Sequence, residues 1–279
     1  KLEKVDRFIE GMKDASAAPI FNECRQWLLD NLDRFENLTK EDVESISPEI
    51  CNCATLSTLH GCPPQEIERI ASYLLTEKKV HTFIKCNPTL LGYEYARKLM
   101  DDMGYDYVAF GDFHFRDDLQ YTDAVPMLQR LQKLADEKGL EFGVKITNTF
   151  PVDVKQNELP SEEMYMSGKS LYALSMSVAQ KLAKDFDGKL RISYSGGADY
   201  FNITKIIDAG IWPVTMATTM LKPGGYERLE QIGQLFKAKE AAAFTGVSAE
   251  KVEAMVEAAK SDKHHIKACL LYTSPSPRD

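Results

Sequence analysis

Arg191-Ile-Ser-Tyr-Ser-Gly-Gly-Ala198, followed by Trp212-Pro-Val-Thr-Met-Ala-Thr-Thr219, decides the reading of the fold. Each stretch is an apolar run of strand length that enters a small, hydrogen-bonding turn and then a helical pattern. Repeated strand–turn–helix units imply a parallel sheet with helices packed outside it. Gly196 and Gly197 can take positive φ and let the backbone approach a ligand closely. Ser195 precedes them, and Thr218 and Thr219 add hydroxyls beside free backbone amides. Together they read as a nest for a phosphate at the last two βα loops of a barrel; the plainer alternative is a tight turn. Lys222-Pro-Gly-Gly225 either extends that site or is a surface turn.

Outward from this pair, the same alternation runs through the chain. Apolar spacing predicts helices over the first forty-odd residues, with Val5, Phe8, Ile9 and Met12 on one face and Phe21, Trp27, Leu28 and Leu32 on another. Strands are predicted at Ile50–Leu56, Val80–Cys86, Tyr107–Phe110, Glu141–Thr147, Leu190–Tyr194 and Ile211–Ala217. Helices are predicted at Pro64–Leu75, Leu90–Met103, Tyr121–Lys138 closed by Gly139, Ser167–Phe186, Phe201–Ala209, Tyr226–Lys237 and Val247–Lys260, the last capped by Ser248. A long polar excursion is expected between Thr147 and Glu163. Six βα units fit either an open doubly wound sheet or a closed barrel. Three features favour the barrel: no Gly-x-Gly-x-x-Gly turn, polar and glycine residues gathered after strand C-termini, and closing loops that read as a phosphate site. The expected fold is therefore an α/β (β/α)8 TIM barrel. An eight-stranded barrel places two strands before Lys1, so the chain is expected to be truncated at its N-terminus. The expected organisation is a helical lead-in over 1–45, the barrel over 46–240 and a helical extension over 241–268. Residues 269–279 read as the translation of a sequencing adapter and are set aside.

Lys145, inside Gly143-Val-Lys-Ile-Thr-Asn-Thr-Phe-Pro151, sits within a strand where a charge is rarely buried without a partner. A lysine directed into a barrel mouth can stabilise an anionic ring, and Asn148 can hydrogen-bond a ring edge. Lys85, in Phe83-Ile-Lys-Cys-Asn-Pro88, is a rival for that role. Either lysine could instead pair structurally with a carboxylate. Cys51, Cys53 and Cys62 lack the Cys-x2-Cys spacing of cluster ligands, and read better as buried free cysteines. No metal ligand set is expected. Asp112 and His114 follow a strand and could serve as acid or base; no catalytic residue is assigned. Glu158, Glu162 and Glu163 read as a loop surface, and His264 and His265 as solvated.

The formal charge of −8 argues against non-specific nucleic-acid binding. No run of about 18 apolar residues suggests a membrane span. A cytoplasmic protein is expected.

Three longer stretches carry a resemblance. Ser57-Thr-Leu-His-Gly-Cys-Pro-Pro-Gln-Glu-Ile-Glu-Arg69, the Lys145-Ile-Thr-Asn-Thr-Phe-Pro-Val-Asp153 run and Leu159-Pro-Ser-Glu-Glu-Met-Tyr-Met-Ser-Gly168 resemble the large iron–sulfur/flavin subunit of the selenate reductase type, which is similar to dihydropyrimidine dehydrogenase. The resemblance extends to about Ala268. More distantly it implies the FMN barrel of dihydroorotate and dihydropyrimidine dehydrogenases. In that resemblance Ser195–Asp199 stands where a Gly-Gly turn holds the FMN phosphate, and Ala217–Thr219 where a second phosphate turn follows. Ser167-Gly168 matches a Ser-Gly ahead of a helix, and Lys145 or Lys85 would face the flavin ring. The flexible loop with a proton-donating Cys or Ser has no match, and Cys62 lies in a differently ordered segment. Iron–sulfur clusters and FAD or NAD(P)H would belong to missing regions of the same polypeptide, which would be partners along with other redox subunits. The resemblance implies electron transfer between FMN and iron–sulfur clusters. A flavin-free barrel that docks redox domains, or a barrel lyase or isomerase acting on a phosphorylated substrate, are the alternatives.

Overall fold

The computed structural model describes residues 2–58, 60–155, 157, 159–237 and 243–261. The adapter-like tail 269–279, Glu158, His264 and His265 lie outside these residues, as does part of the expected extension.

The chain opens with α1 (Glu3–Lys13), α2 (Pro19–Asp30) and α3 (Lys40–Ser45). Thr39 and Asp42 form a reciprocal capping box at the start of α3. Alternation then begins: β1 (Cys53–Leu56), α4 (Pro64–Tyr73), β2 (His81–Cys86), α5 (Tyr93–Asp102), α6 (Phe113–Asp117), α7 (Tyr121–Lys138) and β3 (Phe142–Ile146). A hairpin, β4 (Phe150–Asp153) and β5 (Glu163–Met166), precedes α8 (Tyr172–Asp185). The chain continues through β6 (Arg191–Ser195), α9 (Ile203–Asp208), β7 (Val214–Thr215), α10 (Thr218–Leu221), α11 (Gly225–Gln234) and α12 (Ala249–Ser261).

Five strands form one parallel sheet in the order β1-β2-β3-β6-β7. The order never reverses direction, whereas a doubly wound sheet reverses at a switch point. Sequential parallel winding is the barrel pattern, and it places the C-terminal ends of all five strands at one end of the molecule. The outer face of the sheet carries Ile84, Cys86, Phe142, Val144, Ile146, Ile192 and Tyr194, all buried in the apolar core. Leu128, Leu131 and Ala135 of α7 and Leu174, Val178 and Leu182 of α8 belong to the same core.

Several expected elements differ from those observed, and the strand expected at Ile211–Ala217 is only Val214–Thr215. Tyr107–Phe110 is not a strand, because β2 pairs directly with β3. The carbonyls of Tyr105 and Val108 accept from the Arg97 guanidinium, at 3.0 and 2.6 Å, instead of from a ladder. Phe110 plugs an aromatic cluster, its ring 4.8 Å from Phe150 and 6.0 Å from Phe115. The parallel sheet therefore has five described strands where six were expected. The polar excursion after Thr147 carries β4, and β5 opens at its last residue, Glu163; Pro151 and the short strands of this hairpin hide the alternation. The helix expected from Ser167 starts as a 3-10 turn, Gly168–Leu171, before α8. The N-terminal helices form where expected, but their apolar faces stay open: Val5, Phe8 and Trp27 are exposed.

Candidate functional site

Strand alternation gives the sheet a second, polar face. Lys85 is the direct partner of Lys145, and Lys145 of Ser193. Two residues earlier, Phe83, Gly143 and Arg191 are in register. Gly143 is required there: a Cβ would lie 2.6 Å from the Phe83 ring and 2.5 Å from the Arg191 carbonyl oxygen. Arg191 is neutralised by Glu141 and lies over the Trp212 ring at 4.1 Å. The lysines have no such relief. Both are half-buried, and neither makes a hydrogen bond or ion pair among the described residues. Burial pulls the Lys85 ammonium below the usual lysine range, and the Lys145 charge adds to the effect. Burial also lowers Lys145, opposed by the Cys53 thiol nearby. An adjacent pair of uncompensated cations favours an anion or an electron-rich ring.

Beyond the sheet edge, three turns meet. Gly197 has φ +81°, and a Cβ there would lie 2.4 Å from the Gly168 carbonyl oxygen. A Cβ on Gly196 would meet Ser175 Oγ at 2.4 Å. Gly168, at φ +71°, packs against Thr218, and Thr219 Oγ1 donates to the Ala198 carbonyl at 3.0 Å. The glycines thus serve first to let the protein's own loops close on each other. Ser195, Gly196, Gly197, Thr218 and Thr219 are brought together with Ser167-Gly168. The amides of Gly196, Gly197, Ala198, Thr218 and Thr219 donate to no backbone carbonyl among the described residues. Lys169, which sequence reasoning passed over, adds an ammonium 2.6 Å from the buried Asp199 carboxylate.

Asn148 lies in a different cluster. Its amide side chain donates to Asn87 Oδ1, whose own amide donates to Asp118 at 2.9 Å. Asp118 also accepts from His60 Nδ1 at 2.8 Å and from Thr89 Oγ1 at 2.7 Å. His60, Asn87, Thr89 and Asp118 were all missed from sequence. His60 lies in the distinctive Ser57–Arg69 stretch and Asn87 two residues after Lys85, so a signal existed for each. Nothing marked Asp118, which meets its partner His60 across 58 positions. Asp112 and His114 do not form the acid–base set considered: His114 Nε2 bonds Glu163 at 2.8 Å, while Asp112 pairs with Arg116. Glu163 is therefore engaged in the hairpin and is not only loop surface. The cysteines are also corrected. Cys51 and Cys62 are partly exposed, and Cys53, on the edge strand β1 of the described sheet, is exposed; Cys86 alone of the five described is buried.

A comparison with protein families matches residues 1–267 to the N-terminal TIM-barrel domain of the oxidoreductase YgfK. The chain belongs to this family. It is 43% identical over 263 residues to YgfK of Escherichia coli strain K12, and equally to that of strain O157:H7, proteins named as oxidoreductases. The match covers 90% of this chain and 26% of either relative, so the chain spans about a quarter of their length. A solved ligand-free DHODH from Eimeria tenella aligns with 68% of this chain and 58% of its own, at 15% identity and a TM-score of 0.32. The chain is thus an oxidoreductase-family TIM-barrel domain. Among the described residues no helix is long and apolar enough to cross a membrane.

Proposed function

We propose that this barrel binds FMN and forms the flavin portion of a larger oxidoreductase subunit, related to the selenate reductase and dihydropyrimidine dehydrogenase type. One observation carries the reading. Three loops rich in glycine and threonine converge with unengaged amides at the same end of the sheet as an uncompensated lysine pair. Backbone amides in such turns bind phosphate oxygens, and a barrel's last two βα loops are a recurrent phosphate seat. Ser195, Gly196, Gly197, Thr218 and Thr219 would hold the phosphate. Lys85 and Lys145 would face the ring, with Asn148 at its edge. When bound, FMN supplies the electron chemistry; the chain supplies orientation and charge. Iron–sulfur clusters and an FAD or NAD(P)H site would lie in the remainder of the parent polypeptide, which is then the barrel's partner in electron transfer. A cytoplasmic setting belongs to the same reading.

Flavin fluorescence titration of the purified chain tests this, with FMN and riboflavin compared. Charge-assisted hydrogen bonds to phosphate are worth about 1.5–3 kcal/mol, so FMN should bind about 10- to 100-fold more tightly than riboflavin. Thr218→Val with Thr219→Val should narrow that ratio. Equal affinities would remove the phosphate site, and no binding of either would move the reading to a flavin-free docking scaffold.

A further inference from the structure

The Asp118 carboxylate, 2% exposed, lies outside the residues assigned to the flavin. It accepts from four donors: His60 Nδ1 at 2.8 Å, the Gly61 amide at 3.3 Å, Asn87 Nδ2 at 2.9 Å and Thr89 Oγ1 at 2.7 Å. All four come from the turns that follow β1 and β2, and Asn87 extends the network to Asn148 after β3. One buried group therefore fixes three of the loops at the C-terminal end of the sheet. An ionised carboxylate only accepts, so His60 must carry its hydrogen on Nδ1. In the neutral ring Nε2 is then a lone pair, and it makes no hydrogen bond among the described residues. The His60 side chain is 33% exposed, open enough to meet a ligand.

The surroundings meet the proposed site at Lys85. Asp118, Gly61, Asn87 and Thr89 line a cavity of about 20 Å³ together with Lys85, Cys62 and apolar side chains such as Ile84 and Leu90, room for about one water. The His60 ring lies 5.3 Å from that of His114, which Glu163 holds in turn. The titratable groups against His60 are thus Asp118 and His114 with Glu163, while Cys62 and Lys85 line the cavity that Asp118 also lines.

We propose that His60 is the proton-exchanging group of the barrel mouth and that Asp118 is its positioning residue. Acting as a base, Nε2 takes one proton from an N–H or O–H of a polar ligand seated over Lys85. The new ring N–H bond forms as the ligand's bond breaks, no electron moves to or from the ring, and the added positive charge faces the Asp118 carboxylate. The reverse step returns the proton. This is the arrangement in which a carboxylate fixes both the tautomer and the orientation of a working histidine. The location of the ligand rests on the flavin reading; the state of His60 does not.

The test has two arms on the 279-residue chain. In the first, two-bond ¹H–¹⁵N correlations of histidine-labelled protein should show neutral His60 with its hydrogen on Nδ1. In Asp118→Asn the Nε2–H form should appear, with the circular dichroism spectrum unchanged. A wild-type His60 carrying its hydrogen on Nε2 overturns the proposal. In the second arm the chain is loaded with FMN and titrated with sulfite, an anion that adds reversibly to oxidised flavins. Between about pH 6 and pH 9, across the histidine range, His60→Gln should flatten the pH dependence of sulfite affinity by about fivefold relative to wild type. Superimposable profiles assign His60 a structural role only and overturn the proposal. If the chain binds no FMN, the flavin reading fails by itself, and the tautomer measurement alone decides the case for Asp118 and His60.

Discussion

The two faces of the central sheet use the same five strands for opposite purposes. In β3, Val144 and Ile146 face the helices and are fully buried, while Lys145 between them faces the barrel interior. In β2, Ile84 and Cys86 face outward and Lys85 inward. One step of strand alternation thus separates a face that builds stability by apolar burial from one that holds two like charges side by side. A cross-strand pair of like charges is destabilising, and burial makes both ammonium groups harder to keep charged. Stability gained on one face supports an arrangement on the other that would not persist alone. That contrast points to the interior as the working face.

The comparison is sharpened most by damage to the outer face. Ile84 is 1% exposed in the core, and Ile84→Ala should destabilise the chain by about 2–5 kcal/mol through lost transfer energy and a residual cavity. Urea unfolding followed by circular dichroism measures this. A loss below about 1 kcal/mol would show a loosely packed core that can collapse around the deletion.

The next effect lies in the loops. Gly197→Ala puts a methyl group 2.4 Å from the Gly168 carbonyl oxygen at a left-handed φ. Overpacking of this kind costs about 1–3 kcal/mol, and separating the two loops should also weaken FMN binding relative to riboflavin. A variant as stable as wild type would show that the 167–169 and 196–198 turns do not close on each other in solution.

These contrasts also explain what sequence could show. Tyr121–Lys138 was legible to the residue, because its apolar spacing ends at Gly139, which takes the left-handed conformation at φ +66°. β2 and β6 were legible within a residue, since their apolar runs stop at turns. Gly143 and Gly197 read as small residues, but only the folded chain reveals that Phe83 and Gly168 fill the space beside them. Tyr107–Phe110 misled because apolar residues in a strand-length run can equally serve an aromatic plug, with Arg97 satisfying neighbouring carbonyls. The Lys85–Lys145 pairing is a matter of register across 60 residues, so the sequence named two rivals where the fold has neighbours. Asp118 was illegible for a related reason. An acidic residue in a polar run reads as surface, and only the meeting of three loops makes it a hub.

The smallest effect has the opposite sign and tests the comparison most directly. Lys145→Met removes one of two adjacent charges and should stabilise the unliganded chain by about 0.2–1 kcal/mol while weakening FMN binding. The pH dependence follows from linkage. The folded state holds the Lys145 proton less tightly than the unfolded state, whose lysine titrates near 10.5. At pH below the lowered folded value both states are protonated, and the full penalty applies. Between the two values the unfolded chain binds more protons, so wild-type stability rises with pH. Above the unfolded value both are neutral and the penalty is gone. The advantage of Lys145→Met should therefore be constant below the lowered folded value and shrink as pH climbs through that window. FMN affinity of the wild type should fall over the same window, because an anionic ligand favours the charged lysine. A destabilised Lys145→Met at neutral pH would mean that the ammonium is structurally satisfied, and the interior face would lose its claim to be held at a cost.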